Sequence, residues 1–182
     1  MILDDEQLLT EVLEVREGGK YTDGADDAGG PTRWGITQAT LAADRGRPVS
    51  PADVAALTED EARSIYRRRY ILEPGFGKIY DDQVRGLLVD CAILHGPGTA
   101  ARFLQRAVGV PDDGVIGGVT IAALRALNPT KVWDLVFAER IAYTGRIITE
   151  NLTDADRDGK ADNAEHAKGW FNRFADILRS RR

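Results

Sequence analysis

A chain of 182 residues, 43% hydrophobic and 29% charged, is long enough to bury a core and ordinary in composition for a globular protein. A net charge of −5 argues against nucleic acid as the main partner, because such proteins carry a basic face. The single cysteine, Cys91, excludes an internal disulfide, and two histidines far apart in sequence, His95 and His166, argue against a zinc cluster.

The first predicted element is a helix from about Asp5 to Arg16, with Leu8, Leu9, Val12, Leu13 and Val15 at helical spacing. Gly18-Gly19 ends it. Lys20 to Gly35 is rich in Gly, Asp and Thr and reads as an irregular hairpin or loop. Thr37 is placed to cap "QATLAADR", which Gly46 stops. Ser50-Pro51 opens a short helix with proline at its first position. Thr58 and Glu61 have the spacing of a capping box for "EDEARSIYRRRYI", which Pro74-Gly75 breaks. "DDQVRGLLVDCAIL" is apolar enough to be buried, and Gly96-Pro97-Gly98 turns the chain into "TAARFLQRAVG". "PDDGVIGGVT" is a tight loop before "IAALRALN". Thr130 is read as the cap of a long helix, and "AEHAKGWFNRFADILRS" closes the chain with Trp170, Phe171, Phe174, Ile177 and Leu178 as its apolar stripe. The expected fold is mainly α with one small β-hairpin near the N-terminus.

The chemistry is expected in "REGGKYTDGADDAGGPTRWGIT". Glu17 falls at the last turn of the first helix, where the dipole disfavours an ionised carboxylate, and burial would push its pKa the same way. A general acid working near neutral pH needs that shift. A second carboxylate, Asp26 or Asp27, and a hydroxyl, Thr32, follow across the glycine-rich segment. Together they make a glycosidase-like set. Spacing alone fits turn-forming aspartates beside a surface glutamate somewhat better, because any Asp/Gly loop has this look. Tyr21 and Trp34 are candidates either for the sugar groove or for core packing. Arg67, Arg68 and Arg69 fit a solvated helix face better than an anion site.

Near the other end, "DADRDGKADNAE" follows the EF-hand loop pattern over 154–165. Asp154, Asp156 and Asp158 take positions 1, 3 and 5, and Gly159 takes position 6. Lys160 offers its carbonyl at position 7, Asp162 takes position 9 and Glu165 the bidentate position 12. Hard oxygen ligands suit Ca2+. Ala161 stands where a larger aliphatic usually pairs with a second loop, and no second loop is present in the sequence.

"EGGKYTDGADDAGGPTRWGIT" resembles the N-terminal signature of the glycoside hydrolase family 108 muramidases of the phage endolysin type. "ARSIYRRRY", "LLVDCAILHGPGTAARFLQRAVGVPDDGVIGGVTIAAL" and "GWFNRF" continue the likeness in order through most of the chain. Lys20 looks inserted relative to that signature. The family loop aligns Asp27 with its aspartate, whereas Glu17, Asp26 and Thr32 show the spacing of the T-even phage lysozymes. Asp26 is slightly favoured, with Asp27 as the alternative. A second departure is Tyr70-Ile71, where the family often has a tryptophan.

The resemblance implies a lysozyme-like α+β helical bundle, with a catalytic lobe over 1–87 and a helical peptidoglycan-binding-like lobe over 88–182. It implies hydrolysis of the β-1,4 bond between N-acetylmuramic acid and N-acetylglucosamine, with Glu17 as acid. The alternatives are a lytic transglycosylase and a non-catalytic, calcium-binding peptidoglycan-binding protein. The expected partner is peptidoglycan, with no nucleic acid and no stable membrane insertion, and the chain is expected to act as a monomer. The opening "MILDDEQLLTEV" carries acids where a secretion signal needs bases. The enzyme is therefore expected to be made in the cytoplasm and released to the wall by a separate holin-like protein.

Overall fold

The structure, a computed structural model, describes residues 5–10, 13, 19–23, 30–153 and 162–180. It is mainly α, with one small antiparallel hairpin near the N-terminus, as the sequence predicts. The described residues fall into two compact units, Met1–Val136 and Phe137–Arg182. The expected lobe boundary at 87 and 88 lies inside a continuous helix, Asp82–His95.

In the first unit, α1 (Asp5–Thr10) carries Leu9, which is wholly buried, as is Leu13 just beyond it. Thr10 Oγ1 accepts from Arg63 of α4 (Glu59–Arg67) at 3.0 Å, tying the two helices together. The hairpin pairs β1 (Thr32–Arg33) with β2 (Ile36–Thr37) in the register Thr32 to Thr37 and Arg33 to Ile36. Thr22 bridges to the other edge of Thr32 through two backbone hydrogen bonds of 2.9 Å. Thr32 is thus the middle rung between two neighbours.

Local capping sets the next helices. Thr37 accepts from the Thr40 amide at the start of α2 (Gln38–Arg45), and Gly46, at φ 64°, ends it. Ser50 and Asp53 form a reciprocal capping box at α3 (Pro51–Ala55), with the proline inside the first turn. Thr58 caps α4, but only half of the expected box forms. The carboxylate of Glu61 instead accepts from Arg45 of α2 at 3.1 and 2.8 Å. Arg45 also pairs with Asp53 of α3 at 3.1 Å, so one guanidinium joins three short helices. Arg68 pairs with Asp44, in keeping with a solvated helix face.

Beyond α4 the chain widens into a π-helical turn, Arg68–Leu72, closed by the Glu73 amide donating to the Arg68 carbonyl at 2.9 Å. Ile71 in this turn is wholly buried, whereas Leu72 is 60% exposed. Tyr70 packs on Tyr66 with ring centroids 5.3 Å apart. A 3-10 turn, Phe76–Lys78, leads to α5 (Asp82–His95), capped by Asp81. Val84, Leu88, Val89, Cys91 and Ala92 on α5 are all wholly buried, which makes it the central helix of the unit. It packs against α6 (Pro97–Ala107), which contributes Ala100, Phe103 and Leu104. His95 stacks edge-on against Phe103 at 6.0 Å, a core role.

Between α6 and α7 (Gly118–Arg125) the loop closes on one buried side chain, Gln105. Its Oε1 accepts from the Gly114 amide at 2.8 Å, and its Nε2 donates to Asp113 Oδ1 at 2.6 Å and to the Val115 carbonyl at 3.1 Å.

α8 (Pro129–Thr153) starts earlier than predicted. Asn128, not Thr130, is its cap: Asn128 Oδ1 accepts from the amides of Thr130 (2.8 Å) and Lys131 (3.4 Å). Pro129 then fills the first helical position, which needs no donor.

In the second unit, α8 meets α9 (Asp162–Ser180) through a compact aromatic cluster. Phe174 is buried between Phe137 (5.8 Å, edge-on) and Phe171 (5.6 Å). The guanidinium of Arg140, itself wholly buried, lies 4.5 Å over the Phe174 ring. The predicted stripe on α9 is narrower than the sequence suggests. Phe171 and Leu178 are 48% and 49% exposed, and Phe174 carries the burial. Among the described residues no helix is long and apolar enough to cross a membrane.

Candidate active site

The hairpin gathers the described part of the predicted site. Thr32 is partly buried on β1, and its Oγ1 donates to the Gly30 carbonyl at 2.9 Å. With its proton committed there, the oxygen keeps its lone pairs for an outside donor such as water. Tyr21 is partly buried beside the Thr22 rung, and its hydroxyl donates to Asp23 Oδ2 at 2.9 Å. Partial burial first, then the hydrogen bond and charge of Asp23, raise the pKa of this phenol above its ordinary value. Tyr21 therefore stays protonated at neutral pH.

Trp34 and Gly35 form the two-residue connection of the hairpin, with φ of 53° and 68°. Two successive left-handed residues make the turn that matches strand twist. The first position usually holds Asn, Asp or Gly, and a bulky residue there costs about 1–2 kcal/mol. Trp34 is the one non-glycine residue with positive φ among the described residues.

What the tryptophan gains is a close approach to Gly19. A methyl added at Gly19 would lie 2.5, 2.6 and 2.8 Å from Cη2, Cζ2 and Cζ3 of Trp34. Near-equal distances to three adjoining ring carbons put Gly19 over the face of the benzo ring. Gly19 also has φ 63°, a conformation open to glycine at little cost. Trp34 Nε1 is buried and meets no acceptor among the described residues. Arg33 completes the grip. Its Nε donates to the Gly19 carbonyl at 3.3 Å, and its Nη1 donates to the Ala55 carbonyl at the end of α3.

Sequence reasoning put Tyr21, Thr32 and Trp34 in one site, and the structure has all three on or beside one hairpin. It missed Arg33 and Gly19. The available signal was a two-residue x-Gly connection between short β-like segments, "TR-WG-IT". Glu17, Asp26 and Asp27 lie outside the described residues.

So do Asp154, Asp156, Asp158 and Lys160 of the predicted calcium loop. Asp162 and Glu165 fall in the first turn of α9, and α8 ends at Thr153. Among the described residues no group of three or more His, Cys, Asp or Glu is placed to hold a metal.

The sequence model of the family described as Glycosyl hydrolase 108 matches residues 9–96. That span takes in the hairpin, the π turn and α5. The model described as Predicted Peptidoglycan domain matches residues 99–175. Among solved structures, SagA of Brucella abortus is 34% identical, with a TM-score of 0.79 over 95% of this chain and 90% of that one. The curated proteins give no significant match.

Proposed function

The chain belongs to glycoside hydrolase family 108, with peptidoglycan as its substrate, and from that premise we propose that it is an N-acetylmuramidase of the endolysin type. It would cleave the β-1,4 bond from N-acetylmuramic acid to N-acetylglucosamine. Glu17 protonates the leaving oxygen as the C–O bond breaks. Water adds at the anomeric carbon from the opposite face and gives its proton to Asp26, with Asp27 as the alternative. Single displacement of this kind uses carboxylates about 6.5–9.5 Å apart.

The observation that carries the reading is the committed hydroxyl of Thr32. Because Oγ1 donates to the Gly30 carbonyl, it can only accept from the attacking water. That water then points its second proton at the aspartate and its lone pair at the sugar. Tyr21, its one O–H given to Asp23, lines the groove as an acceptor, and the exposed part of Trp34 extends it.

Asp154, Asp156, Asp158, Asp162 and Glu165, with the Lys160 carbonyl, would hold Ca2+ between α8 and α9. The ion supplies charge neutralisation for five carboxylates and takes no part in bond cleavage. Made in the cytoplasm and released by a holin-like partner, the enzyme would meet abundant calcium only at the wall.

The test is clearance of purified walls by Glu17→Gln, with mass spectrometry of the products. The reading requires reducing muramic acid ends from the wild type and a loss of about 100-fold or more in the variant. A variant that clears walls normally would make the chain a binding protein. Anhydro-muramyl ends would make it a lytic transglycosylase.

A further inference from the structure

Gln105 holds two neighbouring groups that can react with each other. The Gly114 amide donates to its Oε1 at 2.8 Å, and its Nε2 donates to Asp113 Oδ1 at 2.6 Å. An aspartate followed by glycine is prone to close on itself. The glycine nitrogen attacks the aspartate Cγ, a C–N bond forms, the C–OH bond breaks and water leaves. Water then reopens the cyclic imide. Opening at the main-chain carbonyl leaves isoaspartate, whose backbone runs through Cβ and Cγ and is one atom longer.

The reaction needs two particular protonation states. The Gly114 nitrogen must lose its proton to become a nucleophile, and the Asp113 carboxyl must be neutral to lose its oxygen as water. Gln105 opposes both. A deprotonated Gly114 nitrogen would face the lone pairs of Oε1, to which its N–H now donates. Asp113 Oδ1 accepts from Gln105 Nε2 and from the Val115 amide at 2.9 Å, and such bonds favour the ionised carboxylate. The Gln105 bond is accordingly the first cause of the low pKa of Asp113. We infer that Asp113-Gly114 is a latent site of imide and isoaspartate formation, and that Gln105 keeps it intact.

The loop cannot remove the hazard by changing the pair. Gly114 has φ 81°, and a Cβ there would lie 3.3 Å from Arg102 Cζ and 3.4 Å from the Gly98 carbonyl oxygen. Any other residue would be strained and crowded. Asp113 is fixed as well, because its carboxylate closes the turn onto the Val115 amide. The fold therefore keeps a reactive pair, and one side chain, 1% exposed, reaches both halves of it. The site lies in the region matched as a peptidoglycan domain, and its chemistry does not depend on which wall bond is cut.

The test incubates the whole chain at neutral pH, folded and in urea. Isoaspartate is located by methyltransferase labelling and peptide mass spectrometry. Two further Asp-Gly pairs in the sequence, Asp23-Gly24 and Asp158-Gly159, serve as internal references. Asp113-Gly114 should rearrange about 10- to 100-fold more slowly in the folded wild type than in urea, since the reaction must give up two hydrogen bonds. Gln105→Met keeps the volume and neither bond. Gln105→Asn keeps an amide one methylene short. Both, incubated below their own melting temperatures, should restore most of the urea rate at Asp113 and leave the two reference pairs at their wild-type rates.

A folded wild type that rearranges at Asp113 as fast as in urea overturns the inference. So do folded Gln105→Met and Gln105→Asn proteins that rearrange no faster than wild type, which would credit rigidity of the loop instead. Acceleration of all three pairs together would mean that the variants act by opening the chain, and counts against Gln105 in the same way.

Discussion

Gln105 is where a single truncation should do the most measurable damage to the region matched as a peptidoglycan domain. The side chain is 1% exposed and serves the loop with both ends of its amide. Removing it in Gln105→Ala strips the Gly114 amide of its acceptor and takes donors from Asp113 and the Val115 carbonyl. An orphaned, partly buried amide costs about 1–3 kcal/mol, and each lost neutral bond about 0.5–1.5 kcal/mol. With the cavity added, the expected destabilisation is about 3–5 kcal/mol, or a fall in melting temperature of roughly 6–20 °C. Gln105→Met fills the space without the bonds and should recover only the cavity part.

Acidity gives a second, sharper reading of the same site. The Gln105 hydrogen bond is the first cause, and the Val115 amide the second, of the low pKa of Asp113 in the folded protein. A depressed carboxyl stabilises the fold above its unfolded value, about 3.9, and loses that contribution as pH falls through the folded value. Thermal melts from pH 7 to pH 3 should therefore show the gap between wild type and Gln105→Ala narrowing below about pH 4. A Gln105→Ala protein that melts within 2 °C of wild type at pH 7, or a gap that widens in acid, would refute this account of the loop.

Two more outcomes follow from features described above. Arg45→Ala should cost about 1–2 kcal/mol, since its side chain is 23% exposed and its guanidinium joins α2 to α3 and α4. Urea melts should show the loss shrinking as salt rises. Calcium should stabilise the α8–α9 end by about 2.7 kcal/mol when it stands a hundredfold above its Kd, and so raise its melting temperature. Scanning calorimetry in chelator and in calcium measures this, and an equal shift in Asp154→Ala would remove the loop from consideration.

The readable parts of the fold are those written locally. Thr37, Ser50 and Thr58 are hydroxyls three residues before a free amide, and Gly46 is a glycine where a helix must stop. These need no knowledge of the rest of the chain. Thr130 misled because Asn128-Pro129, a better cap and first residue, stood just upstream. Glu61 misled because its carboxylate answers to Arg45, sixteen residues away. The stripe on α9 was legible as a period but not in its width, which is set by what Phe137 and Arg140 can cover. At the candidate site, Thr32 and Trp34 were legible as residue types. The grip on Gly19 was not, because it depends on the handedness of a turn fourteen or fifteen positions downstream.

The π turn at Arg68–Leu72 bears on how this chain should be aligned with its relatives. Such a turn holds one residue more than an α-helix would between the same two points. Deleting a residue elsewhere in a helix swings everything beyond it by about 100°. Here, a deletion could be absorbed by tightening the turn, leaving the faces on either side in phase. The departure at Tyr70-Ile71, where the resemblance leads one to expect tryptophan, falls inside this stretch. A column-by-column alignment that ignores the extra residue would compare side chains pointing in different directions. The useful comparison is between the buried Ile71, the paired Tyr70 and whichever relative's residue occupies the same space.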